Sequence, residues 1–253
     1  MILSSIEWAK YFNTLELTLD TIRDVKLYQN KKGYRFSVDA LLLYSFVHLR
    51  RTGRIADLGA GSGIIGILLA RKYPESHLTL VEIQGSLARL AEKNCIMNHL
   101  EDRIEIVSHD IRTIKSSQVK NNSYDLVVSN PPFRRQKTGL ISPTDEKAIA
   151  RHEIKLSLQD LISAAFYLLR DKGRFCIIYH PSRLVELIDS LKKKQMEPKR
   201  LQFVHSNLNT EAKMVLVEAV KKGKPEMKIE KPLYIYNEDG AYRDEMKELC
   251  RAY

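Results

Sequence analysis

The sequence predicts an α/β fold: an open, doubly wound, mostly parallel seven-stranded sheet with helices on both faces and a terminal antiparallel hairpin. Three observations predict it. From residue 53 onward, short apolar runs alternate with stretches of helical periodicity. The runs have continuous apolar centres, such as Leu126-Val127-Val128, which suits strands covered on both faces. The last two runs are joined by a short polar connector, Ser206 to Thr210, too brief for a crossover helix.

Taken in order, Arg54 to Leu58 reads as a strand bounded by glycines, and Ile64 to Lys72 as the helix after it. Leu78 to Glu82 is a second strand. Gly85 to Asn98 is a helix, with Leu87, Leu90, Ala91 and Met97 at near-helical spacing. Arg103 to Ser108 and Tyr124 to Ser129 are the third and fourth strands. Leu158, Leu161, Ile162, Ala165 and Leu169 mark a helix that Lys172-Gly173 is expected to close. Strand Arg174 to Tyr179 follows, then a helix around Leu184, Leu187, Ile188 and Leu191, then strands Arg200 to His205 and Ala212 to Val220.

This main domain spans 53–222. Residues 1–52 read as an appendage, with a turn at Tyr28 to Gly33 and a helix from Val38 to Leu49, capped by Ser37 or Asp39. Residues 223–253 read as a tail packed on the same domain, with a strand at Leu233 to Tyr236, a turn at Asp239-Gly240 and a short charged helix. The polar, basic stretch Arg134 to Arg151 is long enough for a functional loop.

The chain has 253 residues, 44% hydrophobic and 28% charged, which fits a globular protein and not a disordered one. The longest near-apolar run, Ile64 to Ala70, falls far short of the ~20 residues of a membrane helix, and MILSSIEWAK carries no secretory signal. Cys95, Cys176 and Cys250 are odd in number and far apart, which suits a reducing cytoplasm better than a disulfide framework. The seven histidines show no ligand spacing, so no metal is expected. No serine sits in a nucleophile elbow, so hydrolase chemistry is not expected either. A net charge of +10 admits a polyanionic partner such as nucleic acid.

Asp57-Leu-Gly59-Ala-Gly61-Ser-Gly63 follows a strand and opens a helix. Its glycines permit a sharp turn and close approach of backbone N–H groups to a ligand. The dinucleotide fingerprint would need glycine where Ile64 stands. Asp57 would also repel a pyrophosphate while attracting a cationic amino acid. S-adenosylmethionine, with an ammonium, a sulfonium and no phosphate, meets that condition. Glu82, at the end of the next strand, is placed to accept both ribose hydroxyls, and Asp110, past the third, the adenine amine. Glycines also make plain turns and acids also cap helices. Their coincidence at three successive strand ends favours the cofactor.

Asn130-Pro131-Pro132-Phe133 directly follows the fourth strand, at the carboxyl edge of the sheet. The prolines stiffen the backbone and fix the direction of the Pro131 carbonyl. A nucleobase amine is a poor nucleophile because its lone pair is delocalised into the ring. The Asn130 side-chain oxygen and the Pro131 carbonyl can accept its two N–H groups and free that lone pair for attack on a methyl. Phe133 can stack on the ring, so positioning and electrostatics suffice without a strong base. A lone Asn-Pro-Pro is a common turn; its position behind the fourth strand gives it meaning.

Together these segments resemble the class I, Rossmann-like S-adenosylmethionine-dependent amino-methyltransferases. Within them the sequence is most similar to the tRNA1(Val) (adenine-N6)-methyltransferase family, which modifies adenine 37, next to the anticodon. The narrower match rests on Tyr28-Gln29-Asn30 and Gly33 to Leu43 ahead of the sheet, and on Pro232 to Tyr242 in the tail. The resemblance implies S-adenosylmethionine held by Asp57, Gly59, Gly61, Gly63, Glu82 and Asp110, with Ile83 and Ile111 beside them, and catalysis at Asn130, Pro131, Pro132 and Phe133. Many relatives end that tetrapeptide in tyrosine; the phenylalanine here still stacks. The resemblance also implies that the pre-sheet segment covers the cofactor. Gln29, Phe36 and Asp39 then join the candidates, although Phe36 equally suits a core and Asp39 a helix cap.

The implied partner is the anticodon stem-loop of a tRNA, with Arg134, Arg135 and Lys137 gripping phosphates next to the catalytic motif. Two other readings stay open: a protein-(glutamine-N5) methyltransferase acting on a translation factor, since the same tetrapeptide suits an amide nitrogen, and a non-catalytic RNA-binding protein with this fold. DNA adenine methylation ranks below both, because the chain lacks a large target-recognition domain.

Overall fold

The computed structural model describes residues 17–30, 38–131 and 156–250. The expected strands form β3 (Arg54–Leu58), β4 (His77–Glu82), β5 (Ile104–Ser108), β6 (Tyr124–Ser129), β7 (Leu169–Tyr179), β8 (Met196–His205) and β9 (Ala212–Lys221), in the order β8-β9-β7-β6-β3-β4-β5. β3 to β7 are parallel neighbours, and β9 runs antiparallel between β7 and β8. The terminal hairpin is therefore as expected. Two short strands, β10 (Lys228–Ile229) and β11 (Leu233–Tyr234), add in parallel along the outer edge of β8, so the sheet has nine strands among the described residues.

Continuous apolar centres work here because both faces are covered. Leu126 and Val128 of β6 enter one core with α1 (Val38–Phe46) and α2 (Ile64–Lys72), while Val127 enters the other with α4 (Leu158–Leu168) and α5 (Leu184–Lys193). α3 (Gly85–Met97) lies on the first face with the tail helix α6 (Asp244–Cys250), whose Met246 and Leu249 are buried there.

Three expectations need correction. Of the turn expected at Tyr28 to Gly33, residues 28–30 belong to strand β2 (Val25–Asn30) and 31–33 lie outside the described residues; a tight turn lies at Arg23-Asp24, between β1 (Leu17–Ile22) and β2. Arg23 takes the left-handed backbone (φ 54°) that a two-residue turn requires and that glycine would have signalled. Lys172-Gly173 does not close a helix. α4 passes straight into β7 at Leu169, and the pair forms a bulge in that strand, with Lys172 at φ 64°. A Cβ on Gly173 would stand 2.8–2.9 Å from the carbonyls of Arg170 and Tyr124, so the bulge needs glycine for close backbone approach. Finally, α1 stops at Phe46 rather than Leu49, because cations take its last carbonyls. Lys72 donates to Tyr44 and Val47, and Arg200 donates to Phe46 while lying 4.1 Å from its ring.

The β1–β2 hairpin is docked by two asparagines four residues apart on α3. Asn94 accepts from the Tyr28 N–H at 2.7 Å and donates to the Tyr28 carbonyl at 3.1 Å; Asn98 does the same for Lys26 at 3.0 and 2.7 Å. Their amides act as a substitute strand for the free edge of β2. Asn94→Ala should cost about 2–3 kcal/mol and speed hydrogen exchange at the Tyr28 amide, leaving β3 to β6 protected. Unchanged exchange at Tyr28 would show that the hairpin is held by other contacts.

Candidate active site

The carboxyl ends of β6, β3, β4 and β5 lie side by side, and β3 sits where the connections diverge to either side, the place where open α/β sheets bind ligands. After Leu58 the chain turns on Gly59, Gly61 and Gly63, all left-handed (φ 78°, 58° and 85°), and enters α2. The Gly59 and Ala60 N–H groups donate to Val81 of β4 at 2.9 and 3.1 Å. A Cβ on Gly63 would come 3.2 Å from Ala91 of α3, and one on Gly66 would come 2.2 Å from Leu80, so these glycines let the helices close on the sheet. A Cβ on Gly59 would meet nothing within 4 Å among the described residues, so the turn is open on that side to them.

Asp57 is 1% exposed, and among the described residues neither carboxylate oxygen has a full hydrogen-bond partner. Burial pushes its pKa up to about 7; the Gly66 amide pulls it down and the Glu82 charge pushes it further up. A buried carboxylate without a partner is costly, and a cationic ligand relieves that cost. Glu82, 5% exposed, accepts from the Gly61 N–H at 2.9 Å and the Gln84 N–H at 2.8 Å. It shapes the glycine loop and keeps a lone pair on each oxygen for a ligand hydroxyl. The buried Ser62 hydroxyl is also unpartnered. Its carbonyl accepts from Asn94, which thus ties the loop to β2.

Sequence reasoning overlooked Asn94 and Asn98. The available signal was Asn94, a poor helix former inside the helix, with a second asparagine one turn on at its C-cap.

The register Asp57↔Val128 between β3 and β6 sets Ser129 beside Leu58, and the Ser129 hydroxyl donates to the Leu58 carbonyl at 2.7 Å. Asn130, half-buried, follows directly at the carboxyl end of β6, the strand next to the one that leads into the Gly59 turn. Pro131 behind it is buried. Pro132, Phe133, Arg134, Arg135, Lys137 and Phe36 lie outside the described residues.

The other candidates divide. His109 continues the edge by donating to the Glu82 carbonyl. Asp110 caps the 3-10 turn at Ile111–Ser116, accepting the Arg112 N–H at 2.9 Å, and both its oxygens bond the Arg112 guanidinium. Those bonds hold its pKa below the usual carboxylate range. A ligand amine at Asp110 would have to share acceptors with Arg112, which the sequence gave no sign of. Ile83 is 41% exposed beside Glu82, an apolar surface for a flat ring, whereas Ile111 is buried. Gln29 is buried with its amide on Asp20, and Asp39 sits half-buried in the first turn of α1.

An orphaned carboxylate, an open glycine turn and a second acid with acceptor capacity fit S-adenosylmethionine and would not suit a phosphate. Among the described residues no group of three or more His, Cys, Asp or Glu is placed to hold a metal, and no helix is long and apolar enough to cross a membrane.

Raising an acid's pKa on folding costs stability above its unfolded value. The unfolded chain ionises Asp57 near 3.8 and the folded one near 7, so stability falls as pH rises through that window. Asp57→Asn should therefore stabilise the ligand-free protein at pH 8 by about 1–4 kcal/mol, with no gain below pH 4, while weakening S-adenosylmethionine binding at least tenfold. Equal melting temperatures at pH 8 would show that Asp57 has a partner in solution.

Residues 36–204 match the family model of the methyltransferase small domain. A tRNA1(Val) (adenine(37)-N6)-methyltransferase from Porphyromonas gingivalis is 33% identical over 189 residues, 73% of either chain. One from a Flavobacteriaceae bacterium is 27% identical over 190 residues, 75% of this chain and 78% of that one. Among solved structures, a predicted O-methyltransferase from Agrobacterium tumefaciens shares the fold at a TM-score of 0.67 and 23% identity, over 85% of this chain and 98% of the other. The chain belongs to the methyltransferase small domain family, in the branch of the tRNA1(Val) (adenine(37)-N6)-methyltransferases.

Proposed function

We propose that this protein methylates the exocyclic N6 amine of adenine 37 in tRNA1(Val), in the cytoplasm, with S-adenosylmethionine as donor. The observation that supports the reading is a buried carboxylate with no full hydrogen-bond partner among the described residues, at the end of β3, with Asn130 following the adjacent strand β6. The names of the relatives supply the substrate. The donor, when bound, supplies an electrophilic methyl group on a sulfonium.

The protein's own groups do the remainder. Asp57 holds positive charge at the floor of the site, and Glu82 accepts hydroxyls at its side. The Asn130 amide oxygen and the Pro131 carbonyl each accept one N–H of the target amine, which draws the nitrogen toward tetrahedral geometry and frees its lone pair. Phe133 is assigned to stack on the base, and Arg134, Arg135 and Lys137 to grip the flanking phosphates. An adenine in an anticodon loop leaves its stack more cheaply than one in a duplex. Residues 1–52 are assigned as the cover over the donor.

Incubation with labelled S-adenosylmethionine and total RNA, total DNA or release factors tests the reading. Label should enter RNA alone, at adenine. Label confined to protein would instead make the chain a glutamine-amide methyltransferase. Asn130→Ala should lower transfer at least ~10²-fold while donor binding survives; retained turnover would place amine activation elsewhere.

A further inference from the structure

The tail motif Tyr236-Asn-Glu-Asp-Gly240 has no part in the chemistry above, yet the fold brings it to the same edge of the sheet. β8 is parallel to β6, so His205 at its end and Tyr234 beside it on β11 share the carboxyl edge with Asn130. His205 lies three strand spacings, ~14 Å, across the sheet from β6 and Tyr234 four, ~19 Å, and both stand ~10 Å further out from it. The tail is held there by main-chain bonds. Ile235 donates to His205 at 3.0 Å, Tyr236 to Ser206 at 2.8 Å, and Arg243 to Ile235 at 3.0 Å. The turn between is tight: Gly240 is left-handed, and Asp239 accepts the Ala241 N–H.

The result is an aromatic cluster at a protruding rim. Tyr242 stacks on Tyr236 with ring centres 5.1 Å apart and planes at 13°. His205 lies 5.3 Å from the Tyr234 ring, and the Arg243 guanidinium 5.9 Å above it. A cleft of about 380 Å³ opens beside them, lined by Leu208, Tyr236, Asn237, Glu238, Asp239 and Arg243. Hairpin stability accounts for one face of Tyr242. It leaves unexplained why Tyr242 is still 38% exposed, why Leu208 is 55% exposed at the mouth, and why Arg243 has no ion pair among the described residues.

We propose that this cluster is a second nucleotide-binding site, which stacks an unpaired base of the same RNA whose target adenine lies at Asn130. This rests on the functional reading above. Flat rings and a guanidinium plane bind any base face. The carboxylates of Glu238 and Asp239 repel phosphate but accept from the amino edge of a base. The contact is thus made to a base rather than to the backbone.

The test compares tRNA methylation by wild type, Tyr242→Phe, Tyr242→Leu and Tyr242→Ala. Phe keeps the flat ring. Leu keeps apolar bulk for folding but removes the stacking face, and melting temperatures check that each variant is folded. Leu and Ala should raise KM for tRNA about 10-fold with kcat within twofold, Phe should match wild type, and the salt dependence of RNA binding should keep its slope. KM within twofold of wild type for a folded Leu variant, or a reduced salt slope, overturns the proposal while leaving the tRNA assignment intact. A wild type that labels only protein overturns both.

Discussion

A buried carboxylate with no full hydrogen-bond partner among the described residues is the constraint on which the site depends. Asp57 sits at the end of the central strand, and every neighbouring feature leaves it unsatisfied. The glycine turn carries the chain away from it, Glu82 spends its bonds on Gly61 and Gln84, and the Gly66 amide gives only partial relief. Folding alone would favour an apolar residue or a hydrogen-bonded acid at that place. Its cost is consistent with a site shaped for positive charge supplied from outside.

The catalytic side of the site follows from register. The parallel pairing of β3 with β6, locked by Ser129 on Leu58, puts Asn130 beside the glycine turn. Donor site and acceptor motif belong to adjacent strands, so a shift of one residue in that pairing would move Asn130 off the turn. The hairpin at the far end of the sheet extends the same edge outward, and the tail adds β10 and β11 alongside β8. On the proposed reading, one sheet edge offers three successive places: donor, target base and a more distant contact.

Much of this was legible in the sequence because it depends on local chemistry. Strands buried on both faces announce themselves as continuous apolar runs, and an acid before a glycine-rich turn announces the ligand's charge. What was illegible depends on contacts between distant residues. Nothing near Asp110 in sequence pattern says that Arg112 will fold back on it. Gly173 resembles a helix stop until Tyr124 is seen pressed against it. The asparagines of α3 gain a role only once β2 lies alongside, and the hairpin turn at Arg23 uses a left-handed residue that is not glycine. The aromatic rim emerges from residues some thirty positions apart, joined by the pairing of β11 with β8 and the main-chain bonds that continue it.

The most direct measurement is proton release on donor binding, by titration calorimetry at pH 6.5 in two buffers of different ionisation heat. Asp57, with a pKa near 7 in the free protein, is mostly protonated at that pH. A sulfonium and an ammonium bound above it should ionise it. The account predicts that more than about half a proton enters the buffer per S-adenosylmethionine bound. Identical heats in the two buffers would mean that Asp57 keeps its protonation state, and that the donor's charge is met elsewhere.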